Sequence, residues 1–201
     1  MADSAPPYDE LAACYDQIFE DWEATIVRQA MVLGGILHHE CGDRHPIRVL
    51  DCACGIGTQS LGLAMNGFDV EGCDISSGAV QRARSEALKR GLSVQFSVAN
   101  MLQLSAISAS SFDAVICIDN SLPHLESDEQ LLLAAQQAYG NSGSVAHSLA
   151  AFATTIALLW KGRQHKAPAF IRTVAEGGLY FKSGIGSMSD IIASICTSPE
   201  A

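Results

Sequence analysis

Val49-Leu50-Asp51-Cys52-Ala53-Cys54-Gly55-Ile56-Gly57-Thr58 is the stretch on which the reading of the whole chain turns. Arg48 to Cys52 has the β-rich composition of a short strand, and it leads through an acid into a turn of small residues. Small residues at a strand-to-helix turn let the backbone approach a ligand closely. The helix that follows should end near Asn66-Gly67, where glycine can take the left-handed cap. Working outward, Phe68 to Cys73 reads as a second strand, and Val94 to Val98 and Phe112 to Ile118 as a third and fourth. Ser76 or Ser77 can cap a helix running to Gly91. Ser127 and Gln130 have capping-box spacing for a helix through Gln137. Upstream, Leu11, Tyr15, Ile18, Phe19 and Trp22 recur at helical spacing, predicting helices over Tyr8–Phe19 and Asp21–His39.

This alternation predicts an α/β, Rossmann-like fold: a mainly parallel sheet, right-handed crossovers, helices on both faces and an N-terminal helical lid. Ligands in such sheets sit beyond the carboxyl ends of the strands. Three regions are expected: a lid over 1–46, a core over 47–138 and a tail over 139–201. In the tail, Leu149 to Trp160 is apolar without a clear period, and Gly177, Gly178, Gly184 and Gly186 interrupt the rest. The C-terminal strands usual for the fold are expected to be missing or aberrant there.

The chain has 201 residues, enough for one domain with a sizeable core. Its 48% hydrophobic and 17% charged residues have the balance of a soluble globular protein. A net charge of -10 repels phosphate backbones, which argues against nucleic acid as a partner. No apolar run is long enough to span a bilayer, and Met1 to Pro7 lacks the pattern of a secretory leader, so no membrane partner and a cytoplasmic location are expected. The seven cysteines are odd in number and form no disulfide framework; Cys52 and Cys54 are expected to be buried thiols. His38, His39, Cys41 and His45 match no standard zinc spacing, so no metal is expected.

The acid after the second strand, Asp74, lies about 20 residues beyond the turn, where a carboxylate can accept from both hydroxyls of a ribose. That placement serves any adenosine-containing cofactor. A dinucleotide fingerprint, however, needs a third glycine where Ser60 stands, and Asp51 would set negative charge near a pyrophosphate. The pattern suits a ligand bearing an amino group, such as the methionine portion of S-adenosylmethionine.

Residues 8–137 resemble the class I S-adenosylmethionine-dependent methyltransferases, most closely the glycine/sarcosine N-methyltransferase branch. The resemblance lies in Leu50 to Gln59, in Cys117-Ile118-Asp119-Asn120-Ser121-Leu122-Pro123-His124-Leu125, and in Tyr15-Asp16 and Asp21-Trp22. It implies that Asp51, Ala53, Gly55 and Gly57 surround the methionine side and that Asp74 and Ile75 hold the ribose. Asn100 and Met101 then occupy the adenine loop, where the family commonly has Asp in place of Asn100. Ile118, Asn120 and His124 border the methyl-transfer site. Tyr15, Trp22 and Arg28 belong to the lid. The implied substrate is a small-molecule amine. An adenosine-ligand binding module without catalysis and a non-functional product of a damaged gene are the alternatives.

The family continues with a glycine-pair hairpin and a strand reading roughly S-I-R-D-Y-D, neither of which this chain has in its printed frame. Starting from the third base of each codon, 149–156 permits G-S-I-R-D-Y-D, and 170–186 permits Y-Q-D-G-G-R-R-R-I-V-F-Q-V-W-D-W. Both strings resemble the family's C-terminal half, in order and in a single frame. A frameshift between Tyr139 and Ser144 is the expectation, leaving the arginine of R-D-Y-D, a carboxylate partner, out of the protein.

Overall fold

The computed structural model describes residues 5–42, 46–104, 107, 112–119 and 121–141. Its centre is a parallel sheet of β1 (Arg48–Cys52), β2 (Asp69–Asp74), β3 (Gln95–Val98) and β4 (Ala114–Ile116), in the order β3-β2-β1-β4. Arg48 is opposite Asp69, Val49 opposite Ala114, and Glu71 opposite Gln95. The strand order reverses at β1, so the crevice where the chain changes direction lies beyond the residues that follow β1.

Side-chain alternation along β1 divides the core. Val49 packs with Leu33 and Leu37 of α2 (Trp22–Cys41) and Leu63 of α3 (Thr58–Met65). Leu50 points to the other face, with Val115, Leu104 and Ala138 of α5 (Asp128–Asn141). Helix α4 (Ser77–Lys89) closes the first face through Val80 and Ala83, which pack with Ile26, Leu61 and Phe96. Helices therefore cover both faces, as the alternating pattern predicts.

The helix starts follow their capping residues. Asp21 Oδ1 accepts the Ala24 N–H at 2.9 Å to open α2, and Ser76 Oγ accepts the Ala79 N–H at 3.0 Å to open α4. The capping box at α5 is shifted. Ser127 Oγ accepts the Gln130 N–H at 3.3 Å, but Gln130 Oε1 takes the N–H of Glu126, one residue earlier than the standard pattern.

Two predicted elements differ. The first helix is not continuous: α1 (Ala5–Leu11) gives way to a turn and a 3₁₀ segment at Tyr15–Ile18. The Ala13 carbonyl accepts from Arg82 Nη1 at 3.0 Å, while the Gln17 N–H closes a tighter turn onto the Cys14 carbonyl at 2.9 Å. A tertiary hydrogen bond here competes with helix continuation. The fourth strand is shorter than 112–118. Cys117 and Ile118 stay buried but leave the ladder, and Asp119 turns the chain with φ +59°.

Candidate functional site

The carboxyl ends of all four strands open onto one cleft of about 630 Å³. Ala53 and Gly55 form its floor after β1, in left-handed conformations with φ +59° and +54°. A Cβ added at Gly55 would meet nothing within 4 Å, so glycine there answers to backbone conformation and leaves the cleft clear. Asp74 and Ile75 form the wall after β2, and Asn100 and Met101 follow β3. Ile118, Asp119, Ser121 and His124 line the side after β4, and Tyr8, Ala12 and Tyr15 reach over from the N-terminal segment.

Asp74 is held by the backbone. Its Oδ2 accepts the Gly55 N–H and its Oδ1 the Ser76 N–H, both at 2.8 Å. Burial raises its pKa, opposed by these backbone bonds. A carboxylate has about four acceptor positions, so two bonds fix its plane and leave capacity for two hydroxyls. Asn100 spends its side-chain oxygen on the Leu102 N–H at 2.9 Å, in an Asx turn. That bond leaves the amide NH₂ as the donor side of the group.

The N-terminal segment is pinned to α4. Asp9 Oδ1 accepts from Ser76 Oγ at 2.5 Å and the Gly78 N–H at 2.8 Å, and these bonds hold its pKa down. Arg82 reaches Asp16 at 3.5 Å. Across the opening, the Tyr8 hydroxyl lies 3.1 Å from His124 Nδ1, with the two rings edge to face at 5.7 Å. Tyr8 is a wall residue that sequence reasoning missed. Its signal was the spacing of Tyr8, Ala12 and Tyr15, which falls on one helical face.

Four expected site residues lie behind the wall instead of on it. Asp51 is 1% exposed, accepts from Ser60 Oγ at 2.6 Å, and has its pKa pushed up to about 7 by burial. It does not face an amino group in the cleft. Gly57, with φ +93°, is set by packing: a Cβ would lie 3.3 Å from Ala83 and 3.4 Å from Leu61 and Phe96. Trp22 donates from Nε1 to Thr58 Oγ1 at 2.9 Å, and the guanidinium groups of Arg90 and Arg82 sit 5.2 and 6.0 Å from its ring. Arg28 donates weakly to Thr25 Oγ1 at 3.4 Å, and its buried Nε has no hydrogen-bond partner among the described residues. Asn120 lies outside the described residues, as does His45; His38 packs against Phe68 at 5.1 Å, and Cys41 Sγ lies 3.8 Å from the Asp113 carbonyl.

A cleft of this volume is the size that encloses a drug-sized ligand. Its open floor at Gly55 and its fixed carboxylate at Asp74 fit an adenosine cofactor without phosphates: an acid at the ribose position and no Lys or Arg among the described lining residues. Fold and cleft together are those of a Rossmann-like domain with its ligand site at the strand ends.

The comparisons carry this one step further. Residues 49–143 match the family described as "Methyltransferase domain". The chain is 38% identical over 104 residues to glycine N-methyltransferase of Mus musculus, a match covering 48% of this chain and 34% of the relative. It is 33% identical over 98 residues to ubiquinone biosynthesis O-methyltransferase of Azoarcus sp., covering 49% of this chain and 42% of the relative. Among solved structures, the TehB-like SAM-dependent methyltransferase of Corynebacterium glutamicum superposes with a TM-score of 0.56 at 18% identity, over 70% of this chain and 72% of that one, a likeness of fold. The matches span less than half the length of these curated relatives. Residues 49–143 thus resemble a methyltransferase domain, and the proteins this chain is similar to include methyltransferases acting on nitrogen and on oxygen.

Proposed function

We propose that this domain derives from an enzyme that methylates a small amine such as glycine or sarcosine. The observation that carries the reading is the fixed Asp74 carboxylate on the wall of a cleft at the strand ends. The likeness to glycine N-methyltransferase and the Cys117 to Leu125 segment support the choice of an amine. When bound, S-adenosylmethionine supplies an electrophilic methyl group on a sulfonium.

The protein's part is placement. Asp74 would accept from the ribose hydroxyls, with Ile75, Asn100 and Met101 beside the adenine and Ala53 and Gly55 beside the methionine. Tyr15, Ile118, Asn120 and His124 would border the acceptor, and the Tyr8–His124 contact would help exclude water. Orientation of a neutral amine lone pair in line with the methyl group accounts for most of the acceleration such a site can give. In this scheme residues 1–46 act as the lid, 47–138 as the core, and 139–201 as a tail from a shifted reading frame, with the protein resident in the cytoplasm.

A second reading, a cofactor-binding module without turnover, is favoured by the missing R-D-Y-D arginine, since a substrate carboxylate would need a cation. The test combines calorimetry with transfer of a labelled methyl group to glycine, sarcosine and a phenol. Asp74→Ala is expected to weaken binding of S-adenosylhomocysteine by about 1.5–3 kcal/mol, a larger loss than the stability lost with the Gly55 and Ser76 N–H bonds. Equal affinity in parent and variant removes Asp74 from the site. Binding without transfer to any acceptor selects the second reading, and transfer to the phenol alone overturns the amine.

A further inference from the structure

Asp119 combines three features. It occupies the left-handed region, φ +59°, where glycine is the residue of least strain. Its carboxylate is held by glutamines from two helices: Gln59 Nε2 of α3 donates to Oδ2 at 2.7 Å, and Gln29 Nε2 of α2 lies 3.5 Å from Oδ1. Gln59 also donates to Gln29 Oε1 at 2.7 Å, and the two glutamines are only 4% and 6% exposed. A buried polar network of this kind fixes the orientation of what it holds. Finally, Asp119 lines the cleft together with Gln59, Thr58 and the small-residue turn.

A turn alone would be served by glycine. A strained position that nonetheless carries an oriented acid invites a functional explanation. Burial raises the Asp119 pKa, opposed by Gln59 and Gln29, and the side chain stays exposed to the cleft, where a cation would favour its charged form.

We propose that the Asp119 carboxylate binds the α-ammonium group of the cofactor's methionine moiety. This rests on the reading of the cleft as an S-adenosylmethionine site. The acceptor amine is a poor partner, because a carboxylate against it would hold it protonated and remove the lone pair that must attack. The α-ammonium stays charged throughout the reaction, so a fixed anion beside it interferes with no step. The sheet order agrees with this placement: Asp119 follows β4 and Asn100 follows β3, at opposite edges of the described sheet.

The experiment uses the full chain and calorimetric titration with S-adenosylmethionine, S-adenosylhomocysteine and methylthioadenosine. The last keeps the adenosine and the thioether but has no amino-acid part. Asp119→Asn keeps a residue that tolerates the left-handed conformation, and Asp119→Gly relieves it. Both variants are expected to lose about ten- to a hundredfold in affinity for the first two ligands, the range for a charge-assisted hydrogen bond, with methylthioadenosine binding unchanged. Equal losses for all three ligands, loss for S-adenosylmethionine alone, or no loss at all would overturn the assignment. So would the disappearance of cooperative unfolding in both variants, which would make the carboxylate structural. A parent chain that binds none of the three overturns the cofactor reading itself. A parent that binds S-adenosylhomocysteine beside an unaltered Asp119→Asn overturns only Asp119.

Discussion

Asp51 holds its proton where most aspartates have lost it. Burial lifts its pKa from 3.8 to about 7, against the lowering effect of Ser60. Between those limits the folded chain binds a proton that the unfolded chain has released. Stability from this residue therefore falls as pH rises from 3.8 and levels off above about 7. Each tenfold change in proton affinity is worth about 1.4 kcal/mol, so the effect is large enough to read in denaturant midpoints. Asp51→Asn removes the titration and keeps an acceptor for Ser60. The parent should lose stability between pH 5 and pH 8, and the variant should lose less across this ~3 unit window. Identical pH profiles would mean that Asp51 is ionised throughout. The same residue marks a boundary of sequence reasoning. An acid at the end of β1 was legible, but its neighbour was not: Ser60 comes from the next helix and turns the carboxylate inward.

At the level of elements, the crossing of α2 and α3 is the tightest helix contact that α3 makes with its neighbours. A Cβ at Gly62 would come within 2.7 Å of the Ile26 carbonyl oxygen and of the Ala30 Cβ. One obstacle is backbone inside a helix, so it cannot swing aside. Gly62→Ala should destabilise by about 1–3 kcal/mol, as overpacked cores do, despite alanine's better helix propensity. A urea melt would show it, and an unchanged midpoint would mean the helices separate freely. This crossing also explains which parts of the architecture could be read in advance. The strands and α2 to α4 carry their own punctuation, in Asp21, Ser76, Gly67 and Gly91, so local chemistry places them well. The first helix and the end of β4 do not. Arg82, about seventy residues away in sequence, takes the Ala13 carbonyl, and the turn at Asp119 ends β4 early. Trp22 failed for the same reason. Its helical spacing identified an inward face, but not that Arg82 and Arg90 would lie over its ring or that it would stand off the cleft lining. Ala53, Gly55, Asp74, Asn100 and Ile118 reached the cleft wall because strand ends alone determine that placement. The Asp119–Gln59–Gln29 network joins three separate segments, and no spacing in the chain announces it.

On the scale of the whole molecule, the described sheet ends at β4, whose three residues are 0–3% exposed and which pairs with β1 on one side. Apolar strands at a sheet edge are hazards that natural proteins cover or blunt. The family pattern supplies further strands in the segment that carries S-I-R-D-Y-D, a string that this chain lacks as printed and that a shifted frame would permit. Residues 149–156 and 170–186, on which the frameshift reading rests, lie outside the described residues. Third codon positions are largely free, so one recovered motif carries little weight. Two motifs in one frame and in family order carry far more, because each added residue must satisfy two fixed bases. The expected outcome is that the coding DNA encodes both strings in that frame, with the shift between the codons of Tyr139 and Ser144. Restoring the frame should lengthen the chain, return the arginine of R-D-Y-D and extend the sheet beyond β4. It should also raise the soluble yield and the rate of methyl transfer to glycine or sarcosine. A coding sequence that does not spell the two strings ends the proposal at once. A restored chain with unchanged solubility and no transfer would show that the tail was not what the domain lacked.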